Sequence, residues 1–404
     1  MNADGEDNKP DGGAIIPGEE MVARIRALVP VLRERARAAE ETGRIPEETI
    51  ADLTDAGIFR AVMPRRFGGY QTEFRHIAHV FREMGRGCVS TSWTMGLLMF
   101  DGFQFAHFPV ALQEEIWGEG RIALAGGQVM PCGSARAVDG GFVLNGRWLY
   151  ASGVQHGNWM LLSSPIEGQD GPPDIRRFAV PMSAFTVLDT WHVSAMNASG
   201  SHDVELHDFF VPDHRQIPLR DLREGRGPGL AINPEAMWRI PLLVFMSFPT
   251  VGTLLGAAEA VAEITIDMLQ NKIAAYSTNR MQQQMSTRVR LSQVMMQLKA
   301  TRALFDECVD DITQRCVEGA PMSRSERAEM RAAACHIARQ SQYVVNELAR
   351  DAGSRASTFL DQPVQRFQRD INSLATHALF DFDQLGDIHG GDLLGLEIPD
   401  GAMI

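Results

Sequence analysis

Gly141-Phe142-Val143-Leu144-Asn145-Gly146-Arg147-Trp148-Leu149-Tyr150-Ala151-Ser152-Gly153, continued by Val154-Gln155-His156-Gly157-Asn158-Trp159, is the stretch on which the reading of this chain turns. Asp139-Gly140-Gly141 introduces it, a hairpin signal whose glycines take the positive φ of a tight turn. Small or polar residues then alternate with bulky ones, as in a strand. The run closes on Ser152-Gly153, a short hydroxyl beside a residue with no side chain, where a flat ring can approach the backbone and find a hydrogen-bonding partner. The same residues also make an ordinary hairpin, and the flanking sequence has to decide between the two.

Upstream the pattern is helical. Met21, Ile25, Leu28, Val29 and Leu32 recur at helical spacing from Glu19, and Gly43 supplies a stop. Ile45-Pro46-Glu47-Glu48 opens a second helix with proline and acids in its first turn, and Gly57 ends it. After the loop Pro64–Tyr70, helices are expected over 73–86, 90–106 and 109–118. Downstream of Arg121 come short apolar runs between Gly, Pro and Asp turns: Ile122–Ala125, Phe142–Tyr150, Trp159–Ser163, Phe178–Val180, Asp203–Leu206 and Phe209–Val211. After Gly229, long amphipathic segments rich in Met and Ala follow at Met246–Leu269, Gln282–Val317, Ser323–Ala352 and Pro363–Phe380. The expected organisation is a disordered tail over 1–18, an all-α domain over 19–120, a β domain over 121–215 and a helical bundle with oligomer contacts over 216–404.

Composition removes several function classes. The 404 residues, 45% hydrophobic and 22% charged, suit a soluble globular protein with a large core. A net charge of −13 argues against nucleic-acid or anionic-membrane partners. No run of about 18 purely apolar residues is present, so no membrane span is expected. Lysine occurs only at Lys9, Lys272 and Lys299, none after a Gly-rich loop, which excludes a P-loop. Cys88, Cys132, Cys308, Cys316 and Cys335 are scattered and odd in number, fitting reduced thiols in a cytoplasmic protein. Gly225-Arg226-Gly227-Pro228-Gly229 lacks the final glycine of a dinucleotide fingerprint, and there is no GxSxG or HExxH. His76 and His79, one turn apart, have no carboxylate or thiolate cluster beside them, so no metal centre is expected.

Two segments hold chemistry-bearing residues. Trp93, Phe100, Phe103, Phe105 and Phe108 crowd one helix, either as core or as the wall of an apolar pocket. His377 follows Arg366-Phe367-Gln368-Arg369-Asp370 on an expected helix tied down by ion pairs, and it is the residue type best suited to proton transfer near neutral pH.

Taken together, the chain resembles the acyl-CoA dehydrogenase superfamily, in its flavin-dependent monooxygenase branch. The resemblance spans about residues 20 to 400. It rests on Gly57-Ile58-Phe59, Pro64-Arg65-Arg66-Phe67-Gly68-Gly69 and Ser90-Thr91-Ser92-Trp93; on Gly146-Arg147-Trp148, Ser152-Gly153 with His156 and Trp159, and Ser199-Gly200-Ser201-His202-Asp203; and on Gln365–Asp370, His377 and Gly390-Gly391. It implies an α+β multidomain fold: an N-terminal all-α domain, a central β-barrel-like domain and a C-terminal four-helix bundle that builds a homotetramer.

The implied chemistry belongs to a two-component system. A separate NAD(P)H-dependent reductase supplies reduced FMN or FAD, which reacts with O2 to a C4a-hydroperoxide that hydroxylates an aromatic or polycyclic small molecule. Ser152 would contact flavin N5, and His377 would take a proton from the substrate or hold the peroxide. Gln128, Gly153, Gln155, Trp159 and Arg280 would join Ser152 in binding the cofactor, and Trp93, Phe100, Phe103 and Phe245 would line the substrate pocket. N- or S-oxygenation by the same chemistry is an alternative. A dehydrogenase or oxidase would need a carboxylate base, and residues 236–258 contain no acid. A silent assembly subunit is disfavoured because both Ser152 and His377 are present.

Overall fold

The computed structural model describes residues 15–128, 130–168, 172–273 and 280–404; most of the tail expected over 1–18 lies outside them. The N-terminal region is helical as its periodicity requires: α1 Gly18–Thr42, α2 Glu47–Asp55, α3 Phe74–Gly87, α4 Val89–Phe105 and α5 Val110–Trp117. Met21, Ile25, Val29, Leu32, Ala36 and Ala39 form the buried stripe of α1, and Glu19 and Glu20 in its first turn complement the helix dipole.

Among the described residues eight strands follow: β1 Ala125–Gln128, β2 Ser134–Val138, β3 Gly141–Ala151, β4 Trp159–Pro165, β5 Ile175–Pro181, β6 Thr186–Leu188, β7 His202–Pro212 and β8 Gln216–Pro218. They form two four-stranded sheets, β1-β4-β5-β8 and β2-β3-β7-β6, in which only β1–β4 is parallel. A separate core that includes Leu144, Trp148, Leu162, Phe178, Val204 and Val211 fills this region. The barrel-like expectation thus resolves into two packed sheets, and β8 carries the β region three residues beyond the expected boundary at 215. The strand expected at Ile122–Ala125 starts at Ala125 instead. The Asn158 side chain explains the shift: it accepts from Leu124 N at 2.8 Å and donates to Ile122 O at 2.9 Å, occupying groups a ladder would use.

The C-terminal region contains α6 Leu219–Arg223, α7 Leu242–Asn271, α8 Met285–Glu318, α9 Arg324–Ala352, α10 Ser354–Thr358, α11 Pro363–Leu374 and α12 Phe382–Leu393. Helix α7 is long and apolar enough to cross a membrane by composition, but its apolar stretch is wholly buried in the protein. It packs on α3 with backbones nearly touching. A Cβ at Gly256 would lie 2.0 Å from the Arg82 carbonyl oxygen, and one at Gly85 would lie 2.4 Å from that of Thr253. The helix expected over Pro363–Phe380 is shorter than its sequence suggested. It ends at Leu374, and residues 378–380 form a separate 3-10 turn.

Candidate active site

Ser152 owes its position to an irregularity in β3. The register of β3 against β7 pairs Trp148 with Val204 and Ala151 with His202, so one extra residue is accommodated between them. Within that bulge Tyr150 takes φ +60°, in the left-handed region, and its N–H reaches Asp203 Oδ1 at 3.2 Å. Asp203 in turn binds Arg147 Nε at 2.9 Å. The chain then turns at Ser152-Gly153, with Gly153 N donating to Ser199 O at 3.1 Å.

The Ser152 hydroxyl is buried and heads a polar chain. Trp93 Nε1, from α4, donates to Ser152 Oγ at 3.2 Å; Ser152 Oγ lies 2.8 Å from Ser201 Oγ, which lies 2.8 Å from Ser199 Oγ. An indole N–H only donates, so Ser152 is an acceptor from Trp93. If its own hydrogen points to Ser201, one lone pair stays open to accept from a further N–H.

The other wall is built by the residues after α11. The Trp93 and His377 ring centroids are 5.0 Å apart, edge to face. His377 is not on a helix, as the sequence suggested, but caps the following 3-10 turn, its Nδ1 accepting from Leu379 N at 3.1 Å. Arg331 fixes that turn from behind. Fully buried, it donates to Leu379 O at 3.0 Å and Met403 O at 3.3 Å, and also to Ser247 Oγ. His377 keeps an exposed face, yet the surrounding protein, and secondarily the Arg331 charge, lower its pKa to about 4. It is therefore neutral at pH 7. With Nδ1 accepting, the proton resides on Nε2, which can donate.

The Arg369-Asp370 pair draws the three regions together. Asp370 accepts from Met196 N at 2.7 Å and lies 3.5 Å from Ser90 Oγ, while Arg369 binds Glu40 and the Ser194 carbonyl. Burial pushes the Asp370 carboxyl up to about 6.

Of the residues singled out in the sequence, Ser152, Trp93 and His377 converge directly. Gly153 is pressed on α4, where a Cβ would come within 3.0 Å of the Thr94 methyl. Gln155 is exposed and its Oε1 lies over Gly200. Trp159 is half-buried at the start of β4, with the Arg215 guanidinium 5.4 Å from its ring centroid. Gln128 ends β1, its carbonyl accepting from Arg177. Arg280 is exposed and precedes α8 rather than starting it, with Ile273 as its bridge partner.

Phe100, Phe103 and Phe245 are brought together, but on one another. Phe103 and Phe245 stack at 4.0 Å, and Phe100 lies 5.4 Å from Phe245. All three are fully buried, and among the described residues their ring contacts extend to Phe74, His107 and Trp238, not to Trp93 or His377. Sequence reasoning assigned no role to Ser199, Ser201 or Arg331. The two serines lay within a quoted motif, whereas one arginine among the five of α9 gives no local signal.

The site fits a flavin and does not fit a dehydrogenase. A flat ring with an N–H at N5 needs an acceptor, and Ser152 supplies one, backed by Ser201. The first acid of α7, Glu259, is held by Arg82 Nε at 3.0 Å and Arg302 Nε at 2.7 Å, and these partners lower its pKa against the effect of burial. Such a carboxylate is a poor base.

Comparison with known proteins agrees. Residues 19–103 match the acyl-CoA dehydrogenase N-terminal domain family, and residues 250–382 match its C-terminal domain family. The chain is 31% identical to the oxygenase component of an FADH2-dependent resorcinol hydroxylase from Rhizobium sp., over 94% of this chain and 95% of that protein. The crystal structure of the HsaA monooxygenase from M. tuberculosis superposes with a TM-score of 0.89 at 26% identity, covering 96% of this chain and 100% of that one. XiaF from Streptomyces sp., solved with FADH2 and glycerol, gives a TM-score of 0.88 at 25% identity, with 95% and 97% covered. With the Ser152 acceptor, the donor histidine and the tethered carboxylate already in place, this likeness establishes that the chain belongs to the flavin-dependent monooxygenases of the acyl-CoA dehydrogenase superfamily, as an oxygenase component served by a separate reductase.

Proposed function

We propose that this oxygenase hydroxylates an aromatic or polycyclic small molecule, and that Ser152, Trp93 and His377 are the residues that carry the reaction. One atom of O2 enters a ring C–H bond as a hydroxyl, the other leaves as water with two protons, and the two electrons come from reduced FMN or FAD delivered by an NAD(P)H-dependent reductase. Bound reduced flavin supplies those electrons and the site of oxygen activation. Ser152 would accept from the flavin N5 hydrogen, its lone pair aimed by Trp93 and Ser201. His377, neutral and protonated at Nε2, donates a hydrogen bond towards the reacting oxygen or the substrate hydroxyl. Gln128, Gly153, Gln155 and Trp159 would frame the flavin ring, and Arg280 would meet the flavin phosphates in a homotetramer. We place the enzyme in the cytoplasm, where reduced flavin is made.

The observation that carries this reading is the Trp93–Ser152–Ser201 chain, with its 3.2 and 2.8 Å links, facing a histidine rather than a carboxylate. The test supplies reduced flavin, 18O2 and a panel of phenols and fused-ring arenes. One 18O atom per hydroxylated product is expected. Flavin reduction by a substrate under anaerobic conditions, with no 18O product under 18O2, would make the chain a dehydrogenase. Label on nitrogen or sulfur of other substrates would move it to N- or S-oxygenation.

A further inference from the structure

The turn that presents His377 is held on both sides of one residue. Leu379 N donates to His377 Nδ1 at 3.1 Å, and Leu379 O accepts from Arg331 Nη2 at 3.0 Å and from the Cys335 thiol at 3.8 Å. Arg331 is anchored in its turn. Its Nε donates to Met403 O at 3.3 Å and its Nη1 to Ser247 Oγ of α7, whose own hydrogen goes to Leu243 O. The arginine is 1% exposed.

Those acceptors, two carbonyls and a hydroxyl, require no charge. Buried cations are normally balanced by a carboxylate. Among the described residues the Cys335 thiol is the only acidic group whose charge acts on Arg331, and burial pushes that thiol up to about 11, so it is neutral at pH 7. Burial also lowers the guanidinium to about 10, which leaves it a cation. An unbalanced positive charge therefore stands behind the His377 turn.

The other charges near His377 lie to the side. Arg339, Asp381 and Asp383 line a cavity with Thr376 and Ala378, the chain neighbours of His377. On α11, Arg369 and Asp370 are spent on Glu40, Ser194 O and Met196 N. Helix α4 brings the Trp93 ring and α7 the neutral Ser247. Burial and, after it, the Arg331 charge are what hold the imidazole's pKa down.

We propose that Arg331 is a positioning residue for the hydroxylation: through the Leu379 carbonyl it locks the turn whose N–H occupies His377 Nδ1, and so presents Nε2–H to the reaction. This role rests on the aromatic hydroxylase reading and adds a residue to the same site. The charge acts in the same direction as the hydrogen bonds. A nearby cation opposes a second proton on the imidazole, and the Leu379 N–H keeps the first one off Nδ1. One species is left, neutral with its hydrogen on Nε2. A neutral donor in place of Arg331 could hold the turn but could not exert that repulsion.

The first readout needs no cofactor. Exchange of the His377 ring-carbon hydrogen in D2O, followed by mass spectrometry of its peptide across a pH series, gives the midpoint of imidazole protonation. The wild type is expected to show a midpoint well below the ordinary value of about 6.5. In Arg331→Gln it should rise by about 0.5 unit or more, the effect of removing one like charge. The second readout is a double-mutant cycle on product formed per reduced flavin. Arg331→Gln should lower that yield by about 3- to 10-fold. On the His377→Gln background the same change should cost less than about 2-fold.

Losses that multiply would make Arg331 purely structural and overturn the proposal. So would a wild-type midpoint at the ordinary value, or one that Arg331→Gln leaves unmoved. Should Arg331→Gln fail to fold, Arg331→Lys takes its place in the cycle. It keeps the charge and loses the planar fork, so the midpoint should stay low while yield falls only where His377 is present; an unchanged yield overturns the proposal. The two readings fail separately. Absence of 18O product from every arene sinks the hydroxylase reading, while a His377 midpoint that follows Arg331 still links the two residues. Production of 18O product with multiplying losses sinks only the role of Arg331.

Discussion

Helix α4 carries Trp93 and Thr94 near one end and Phe100, Phe103 and Phe105 near the other, and all five side chains are buried. Their burial differs in kind. The phenylalanines meet other rings: Phe103 stacks on Phe245 at 4.0 Å, and Phe105 meets Trp117 edge-on at 6.0 Å. Trp93 instead spends its N–H on Ser152 and turns its edge to His377. A closed aromatic cluster contributes stability through area and packing. The Trp93 end contributes a hydrogen-bonding direction. Similar apolar residues on one helix therefore do two jobs, and only their partners tell them apart.

Phe103→Ala is the strongest way to break this contrast. As a core truncation it should cost about 3–5 kcal/mol, read as a lower urea midpoint, with the yield of product per reduced flavin held among molecules that remain folded. A weakened substrate KM with unchanged stability would instead make Phe103 a pocket wall. Ser152→Ala should do the reverse: a small change in melting temperature and a fall of about 10- to 100-fold in hydroxylated product relative to hydrogen peroxide released, as expected when a buried N–H loses its acceptor. Trp93→Phe keeps the ring and removes the donor, so the same ratio should fall by about 3- to 10-fold, and a ratio equal to wild type would show that Ser152 needs no aiming.

The smallest effect concerns pH. His377 has a folded pKa near 4, below the unfolded value of about 6.5. Between those values the unfolded chain binds the extra proton. The histidine's contribution to stability is therefore complete above about pH 6.5 and is lost as pH falls through 4. His107, fully buried against Phe103, is lowered to about 4 by the same cause and adds a parallel slope. Denaturation midpoints between pH 4 and 7 for His377→Gln should show a shallower slope than wild type. An identical slope would assign the whole acid sensitivity to His107 and the carboxylates.

Much of the frame was legible in the sequence because it rests on local pattern. The stripe of α1, the proline before α2 with the acids of its first turn, and the long alternation of β3 each write their element into neighbouring residues. The strands β2, β6 and β8 were missed because they run only three to five residues, too short to show an alternation, and pairing rather than pattern makes them strands. The end of α11 was misplaced because nothing between Leu374 and Phe380 forbids a helix; Arg331, 48 residues before Leu379, holds the alternative turn. Ser152 and His377 were visible through a family likeness. The buried hydrogen-bonded cluster in which Gln104 links Asp101 to Arg177 was not, since its members come from α4 and β5 and meet only after the two regions pack.

The extra residue in β3 has a consequence of its own. A sheet counts in twos, so each residue inserted or removed exchanges the two faces for everything that follows. Tyr150 is that odd residue. Its left-handed backbone is the toll, about 1–2 kcal/mol for a side chain other than glycine, and what it secures is parity. Without it, Ser152 would arrive on the opposite face of β3, with its hydroxyl turned from Trp93. Deleting Tyr150 would leave every other residue in place in the sequence and mirror the reaction face of the strand.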